Sequence, residues 1–166
     1  MNPLMKVVVI DDDPSILVLM RQVLQRKGHT VQTYANPLEC PLYQAKSCPC
    51  TAASPCPDAV ITDYNMPGVN GLEFLDDLHT RGCQCFHRAI ITGKGLSETD
   101  RERMVERNIP LFFKPLEMHL LYNWLDWVEQ KTRWNRHIQT LPTSPQVITP
   151  PAPRPLIGIC GDRGNN

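Results

Sequence analysis

Four short stretches carry side chains that could do chemistry together: Asp11-Asp12-Asp13, Asp63, Thr92 and Lys114. Each ends an apolar run, as in Val7-Val8-Val9-Ile10-Asp11, Ala59-Val60-Ile61-Thr62-Asp63, Ala89-Ile90-Ile91-Thr92 and Leu111-Phe112-Phe113-Lys114. Carboxylates gathered in one pocket repel one another, and such a cluster persists when a hard cation compensates it. Mg²⁺ suits oxygen ligands and retains waters that a phosphate can replace. A hydroxyl from Thr92 and an ammonium from Lys114 are what the remaining oxygens of a phosphoryl group need.

These side chains are far apart in sequence, so the elements that carry them must bring them together. Lys6 to Ile10 reads as a buried first strand, and Ile16, Met20, Val23 and Leu24 recur at helical spacing up to a C-capping Gly28. Thr30 to Tyr34 alternates like a more exposed second strand, and Asn36-Pro37 opens a short helix that meets Pro41. The central strand ends in Asp63 and the turn Tyr64-Asn65-Met66-Pro67-Gly68. After it, Leu72, Leu75 and Leu78 share one face of a helix that ends near Gly82. Arg88 to Thr92 is a fourth strand, and Ser97-Glu98-Thr99-Asp100 opens a polar helix through a capping-box variant with Asp in place of Glu. Pro110 to Phe113 is a fifth strand. The last helix turns Leu121, Trp124, Leu125 and Val128 inward and Asp126, Glu129 and Gln130 outward. Strands alternating with helices predict a parallel sheet covered on both faces, a three-layer αβα arrangement of the doubly wound α/β class. All strands then point the same way, and the four chemical stretches converge on one edge.

The chain has 166 residues, 42% of them hydrophobic, enough for one domain with surplus. Lys+Arg and Asp+Glu balance at 17 each, which argues against nucleic-acid or membrane-surface binding through bulk charge. Neither a signal peptide nor a run of the ~20 apolar residues of a membrane span is present, so the expected location is the cytoplasm. The folded domain is expected over 1–135, with a Cys-rich insertion at 40–57. Six of the 16 prolines lie between Pro142 and Pro155. The segment 138–166 is therefore expected to be a disordered tail.

The pieces Val9-Ile10-Asp11-Asp12-Asp13-Pro14, Ile61-Thr62-Asp63-Tyr64-Asn65-Met66-Pro67-Gly68-Val69-Asn70-Gly71, Ile90-Ile91-Thr92-Gly93 and Phe113-Lys114-Pro115, in this order, closely resemble the receiver domain of two-component response regulators. The resemblance spans about Lys6 to Lys131 and implies a flavodoxin-like sheet of order 2-1-3-4-5. It implies that Asp63 accepts a phosphoryl group from a histidine kinase or phosphotransfer protein. Asp11, Asp12, Asp63 and the Asn65 backbone carbonyl would hold Mg²⁺, while Thr92 and Lys114 would contact the phosphoryl oxygens. Gly93 would leave room for the donor, Asn65 and Lys94 would tune autodephosphorylation, and Lys114-Pro115 would be cis. On this reading the chain is a stand-alone receiver without a DNA-binding domain and not an enzyme beyond its own phosphorylation and dephosphorylation. It would signal through its fourth helix, fifth strand and fifth helix, with homodimerisation left open. One departure concerns the switch: where the family carries Tyr or Phe three residues before the lysine, this chain has Leu111. Output would then rest on Thr92 and backbone shifts.

Two other readings compete. Asp11-Asp12-Asp13-Pro14-Ser15 also fits the D-x-D-x-[TS] motif of haloacid-dehalogenase-like phosphatases, with Asp11 as nucleophile and Asp13 as acid/base. That reading leaves Asp63 and its loop unexplained. The third is a pseudo-receiver that senses metal or redox state. The loop before the third strand and the loop before the fourth should be neighbours at the pole opposite Asp63. Cys48, Cys50, Cys83 and Cys85 could there bind Zn²⁺ or an iron–sulfur cluster, with Cys40, Cys56, His79 and His87 as substitutes. A plain thiol-rich or disulfide-closed loop is the alternative.

Overall fold

Lys6–Ile10 (β1) is hydrogen-bonded on one side to Thr30–Tyr34 (β2) and on the other to Ala59–Asp63 (β3). His87–Thr92 (β4) and Leu111–Phe113 (β5) complete a fully parallel sheet of order β2-β1-β3-β4-β5. The computed structural model describes residues 5–51, 55–85 and 87–139. The tail expected at 138–166 therefore lies almost entirely outside the described residues. The last helix, Met118–Gln139 (α5), runs past the boundary expected at 135.

The apolar runs form strands because both faces of the sheet are covered. Alternation along β1 sends Val7 and Val9 to one side, against Met20 and Leu24 of Pro14–Arg26 (α1) and Leu121, Leu125 and Val128 of α5. Val8 and Ile10 go to the other side, against Leu72, Phe74, Leu75 and Leu78 of Gly71–Thr80 (α3) and Met104 of Glu98–Glu106 (α4). All five residues of β3 are buried. Each large apolar side chain so placed contributes about 1.5–3 kcal/mol. The element that ends in Asp63 is thus the best anchored in the sheet.

Local signals set the helix ends. Asp13 caps α1 by accepting hydrogen bonds from Ser15 N at 2.8 Å and Ser15 Oγ at 2.6 Å. Asn70 and Glu73 form a full capping box on α3, with the Glu73 amide donating to Asn70 Oδ1 at 2.9 Å. At α4 only half of the expected box exists: Ser97 Oγ accepts from the Asp100 amide at 3.1 Å, and the Asp100 carboxylate is engaged elsewhere. Gly28, just past α1, has φ +91°, and Gly82, just past α3, has φ +79°. Both fit the left-handed closure of a helix. Between β2 and β3 the helical part is brief, a 3₁₀ turn at Pro37–Glu39 and one turn at Pro41–Gln44 (α2). The prolines that break it leave the cysteine-rich insertion to follow. Among the described residues no helix is long and apolar enough to cross a membrane.

Candidate functional site

The carboxyl ends of β1, β3, β4 and β5 bring the four chemical stretches together. Asp11 and Asp63 are 1% and 3% exposed, and Thr92 is fully buried. Lys114 reaches in from the end of β5, its Nζ 2.7 Å from Asp63 Oδ1 and 3.0 Å from Asp11 Oδ2. The second oxygen of Asp63 accepts a hydrogen bond from the Asn65 amide at 2.5 Å. Asp11 Oδ1 accepts one from the Asp13 amide at 2.9 Å. Both carboxylates are therefore held in orientation by main-chain donors as well as by the lysine. The Lys114–Pro115 peptide is cis, as expected.

The electrostatics follow from two acids sharing one base. Burial raises the Asp11 pKa above the ordinary carboxylate value, and the nearby Asp63 charge adds to that, with the Asp13 amide and Lys114 opposing. Burial alone would lower the pKa of Lys114, yet its close contacts with the Asp63 and Asp11 carboxylates bring it above the usual lysine value. Asp13 behaves differently: its bonds to Ser15 hold its carboxyl low, and it faces solvent as a cap. Asp12 is exposed at the rim. Asp11 Oδ2 lies buried beside the ammonium without a properly aligned hydrogen bond. An under-satisfied buried carboxylate oxygen, a solvent-facing neighbour acid and only oxygen donors are a set that fits a hard divalent cation such as Mg²⁺.

Thr92, Asn65 and Lys94 form one chain of hydrogen bonds. Asn65 Nδ2 donates to Thr92 Oγ1 at 3.1 Å, and Thr92 Oγ1 lies 2.8 Å from the Lys94 carbonyl oxygen and 3.2 Å from the Lys94 amide. Gly93 is open: an added Cβ there would meet Lys114 Cβ and Cδ only at 3.9 Å. Gly71 is the opposite case, since a Cβ there would collide with the Asp63 carbonyl oxygen. Leu111 opens β5 opposite Ile90, half-buried against the α3 and α4 side of the core.

One network escaped the sequence reading. Tyr64, directly after Asp63, donates from its hydroxyl to Asp100 Oδ2 at 2.6 Å. Asp100 pairs with Arg103 at 2.9 Å, and Arg103 and Arg107 both pair with Asp76 of α3. The bond to Asp100 is the main cause that pushes the Tyr64 pKa up to about 12, and the Asp100 carboxyl is held low in return. The Asp63 loop is thereby tied to α4.

At the opposite pole the structure revises the cysteine grouping. Cys48, Cys50 and Cys56 lie with their Sγ atoms within 4.8 Å of one another, and Cys83 Sγ is 3.9 Å from Cys56 Sγ. Cys56, counted above only as a substitute, joins this group, and Cys85 does not. The reason is packing: Cys85 is 1% exposed in the core, and its thiol points to the His87 carbonyl oxygen at 3.4 Å. Arg88 holds the backbone in that course through the carbonyls of Cys85 at 2.9 Å and Cys83 at 3.4 Å. Cys40 is fully buried, His79 is exposed at the end of α3, and His87 is edge-on to Trp127 at 5.4 Å.

A sheet of order 2-1-3-4-5, with acids, a hydroxyl and an ammonium at its carboxyl edge, defines the flavodoxin-like α/β class. Solved structures agree. The chemotaxis protein CheY4 of Vibrio cholerae is 26% identical with a TM-score of 0.59, over 74% of this chain and 97% of that one. The signal receiver domain of an HD domain-containing protein from Pseudomonas fluorescens Pf-5 shares the fold at a TM-score of 0.63 and 18% identity, over 80% and 98% of the two chains. Residues 7–126 match the response regulator receiver domain family, and the chain belongs to that family. The C4-dicarboxylate transport transcriptional regulatory protein DctD of Pseudomonas aeruginosa is 32% identical over 90 residues. That match covers 54% of this chain and 18% of DctD.

Proposed function

We propose that this receiver takes a phosphoryl group onto Asp63 from a histidine kinase or phosphotransfer protein. The observation that carries the reading is the shared ammonium of Lys114, which bridges the buried Asp63 at 2.7 Å and the buried Asp11 at 3.0 Å. One Asp63 oxygen is oriented by Lys114 and the other by the Asn65 amide, so the carboxylate is presented as an aligned nucleophile. Asp11, Asp12, Asp63 and the Asn65 carbonyl would hold Mg²⁺, which when bound offsets the charge of the incoming phosphoryl group. Lys114 then balances one of the new oxygens. Thr92 gives up its present contacts with Asn65 and Lys94 to meet another. That exchange is the switch, since Leu111 has no ring to swing. Asn65 and Lys94 flank the route of a hydrolytic water and set the lifetime of the acyl phosphate.

Output would pass through α4, β5 and α5 to a protein partner. Each of these elements exposes a large apolar side chain: Val105, Phe113 and Leu120. The phosphatase reading fares worse, because the Asp13 carboxylate it needs as acid/base is committed to capping α1 through Ser15. The test is labelling with acetyl phosphate and Mg²⁺, borohydride reduction of the acyl phosphate and mapping of the product. Label on Asp63 is expected. Label on Asp11, or full labelling of Asp63→Asn, would refute the assignment.

A further inference from the structure

The pole opposite Asp63 holds a cluster of thiols that phosphoacceptor chemistry does not use. A cleft of about 630 Å³ is lined there by Cys48, Cys50 and Cys56 together with His87, Thr132 and Asn135. Cys48 and Cys50 come from the insertion, Cys56 stands three residues before β3, and Cys83 stands three residues after α3. Segments far apart in sequence thus deliver sulfur to one place.

We propose that Cys48, Cys50, Cys56 and Cys83 form a tetrahedral thiolate site for a single Zn²⁺ that closes the insertion onto the end of α3. The spacing suits one ion at three of the four sulfurs. Four sulfurs about 2.3 Å from a tetrahedral centre are about 3.8 Å from one another. The Cys48–Cys56 and Cys56–Cys83 Sγ separations are 3.4 and 3.9 Å, and Cys50 Sγ lies within 4.8 Å of both Cys48 and Cys56. Cys83 Sγ stands outside that mutual grouping of three and has to turn toward Cys48 and Cys50 to complete the tetrahedron. An iron–sulfur cluster interposes sulfide between its thiolates and needs them further apart. A disulfide between Cys48 and Cys56 would need a separation of about 2.05 Å and would leave Cys50 and Cys83 unused.

One of the sulfurs has a main-chain donor. The Gln84 amide donates to Cys56 Sγ at 3.3 Å, a main-chain dipole aimed at sulfur that supports its negative charge. The stretch of the insertion from Tyr43 to Cys48 is tied to Arg81 independently of any ion. The Cys48 amide donates to the Arg81 carbonyl at 2.9 Å, and the Arg81 guanidinium donates to the Ala45 carbonyl at 2.6 Å and lies 4.8 Å over the Tyr43 ring. Three ligands on the insertion before β3 and one on the loop after α3 make a clamp, three of whose sulfurs are already together before the ion arrives.

The test uses the full chain, purified under reducing conditions without chelator. Metal analysis is expected to find one Zn²⁺ per chain. Zinc-stripped wild-type protein titrated with Co²⁺ should show sulfur-to-metal charge-transfer absorption and the visible bands of a tetrahedral site, saturating at one equivalent. The Cys56→Ser protein should lose both the zinc and the bands. Cys85→Ser and Cys40→Ser should keep both, since neither thiol faces the cluster, and so should Asp63→Asn. The proposal is overturned if reduced wild-type protein gives no thiolate–Co²⁺ bands, if the Cys48→Ser, Cys56→Ser double variant retains stoichiometric zinc, or if iron with acid-labile sulfide is found instead. The cobalt titration reads the wild-type chain, so a variant that fails to fold does not remove the test.

Discussion

Two single substitutions on either side of one ion pair should move stability in opposite directions. Lys114 Nζ lies 3.0 Å from Asp11 and 2.7 Å from Asp63, so the two carboxylate oxygens are at most about 5.7 Å apart. At an effective dielectric of about 20 their repulsion is about 3 kcal/mol, and the Asp11–Lys114 attraction is about 5 kcal/mol. Burying the Asp11 charge costs several kcal/mol more, so its ionised form is a net burden without a cation. Its raised pKa has the same sign. Asp11→Asn should therefore stabilise the metal-free protein at pH 7 by about 1 kcal/mol, a gain of roughly 3–5 °C in Tm for a domain of this size. Lys114→Met leaves two buried acids unpaired and should cost about 3 kcal/mol, discounted because the lysine is partly solvated. The pH dependence can be signed. Below the ordinary carboxylate pKa of 3.8, Asp11 is protonated folded and unfolded, and the burden is absent. It grows as pH rises from there through the higher folded pKa and is complete above it. The advantage of Asp11→Asn should shrink accordingly in acid. The assay is thermal melting in EDTA at pH 7 and near pH 4, repeated with Mg²⁺, which should raise wild type more than the variant. A variant that melts below wild type in EDTA at neutral pH would refute the reasoning.

Tyr64→Phe removes the link from the Asp63 loop to α4. It should cost about 1–2 kcal/mol and speed amide exchange in residues 98–106, and unchanged exchange there would count against the coupling. In wild type that bond should be fully present below the ordinary tyrosine value of 10 and lost as pH rises through about 12, which tyrosinate absorbance can follow. Gly71→Ala drives a Cβ into the Asp63 carbonyl oxygen, so a loss of about 3 kcal/mol is expected together with slower acetyl phosphate labelling. An Ala variant that melts with wild type would show that this turn has slack.

The site was legible because its signals are local. Each candidate residue ends an apolar run, and parallel strands bring such ends to one edge whatever the sequence distance between them. Alternation of strands and helices implied the parallel sheet but not its order, which came from resemblance. The Tyr64–Asp100 bond joins positions 36 residues apart, and no spacing announces it. The Asn70 and Glu73 box did carry its signal, an Asn three residues before a Glu at a helix start, and was missed beside the more conspicuous Pro67-Gly68. The cysteines show a different limit. C-x-C spacing favours Cys83 with Cys85, but the burial that β4 gains by drawing Cys85 inward outweighs that pattern. Cys56 takes its place because β3 must begin where Asp58 accepts the Lys6 amide at 2.7 Å.

Two elements connect the poles of the molecule. β3 starts beside Cys56 and ends in Asp63, and α3 starts at Gly71 against the Asp63 carbonyl and ends beside Cys83. Each is about 15 Å long, too far for a Zn²⁺ among the thiols to touch a phosphoryl group on Asp63. Any influence must pass through the packing of a fully buried strand on Leu72, Leu75 and Leu78, which has little room to deform. A clamp on the far ends of both elements therefore acts on stability rather than on phosphoryl transfer. It would hold β3 and α3 in register while Thr92, on the neighbouring strand, makes the partner exchange of the proposed function. On the proposed function the exchange at Thr92 then falls on β4, one strand away from the β3 that the clamp anchors.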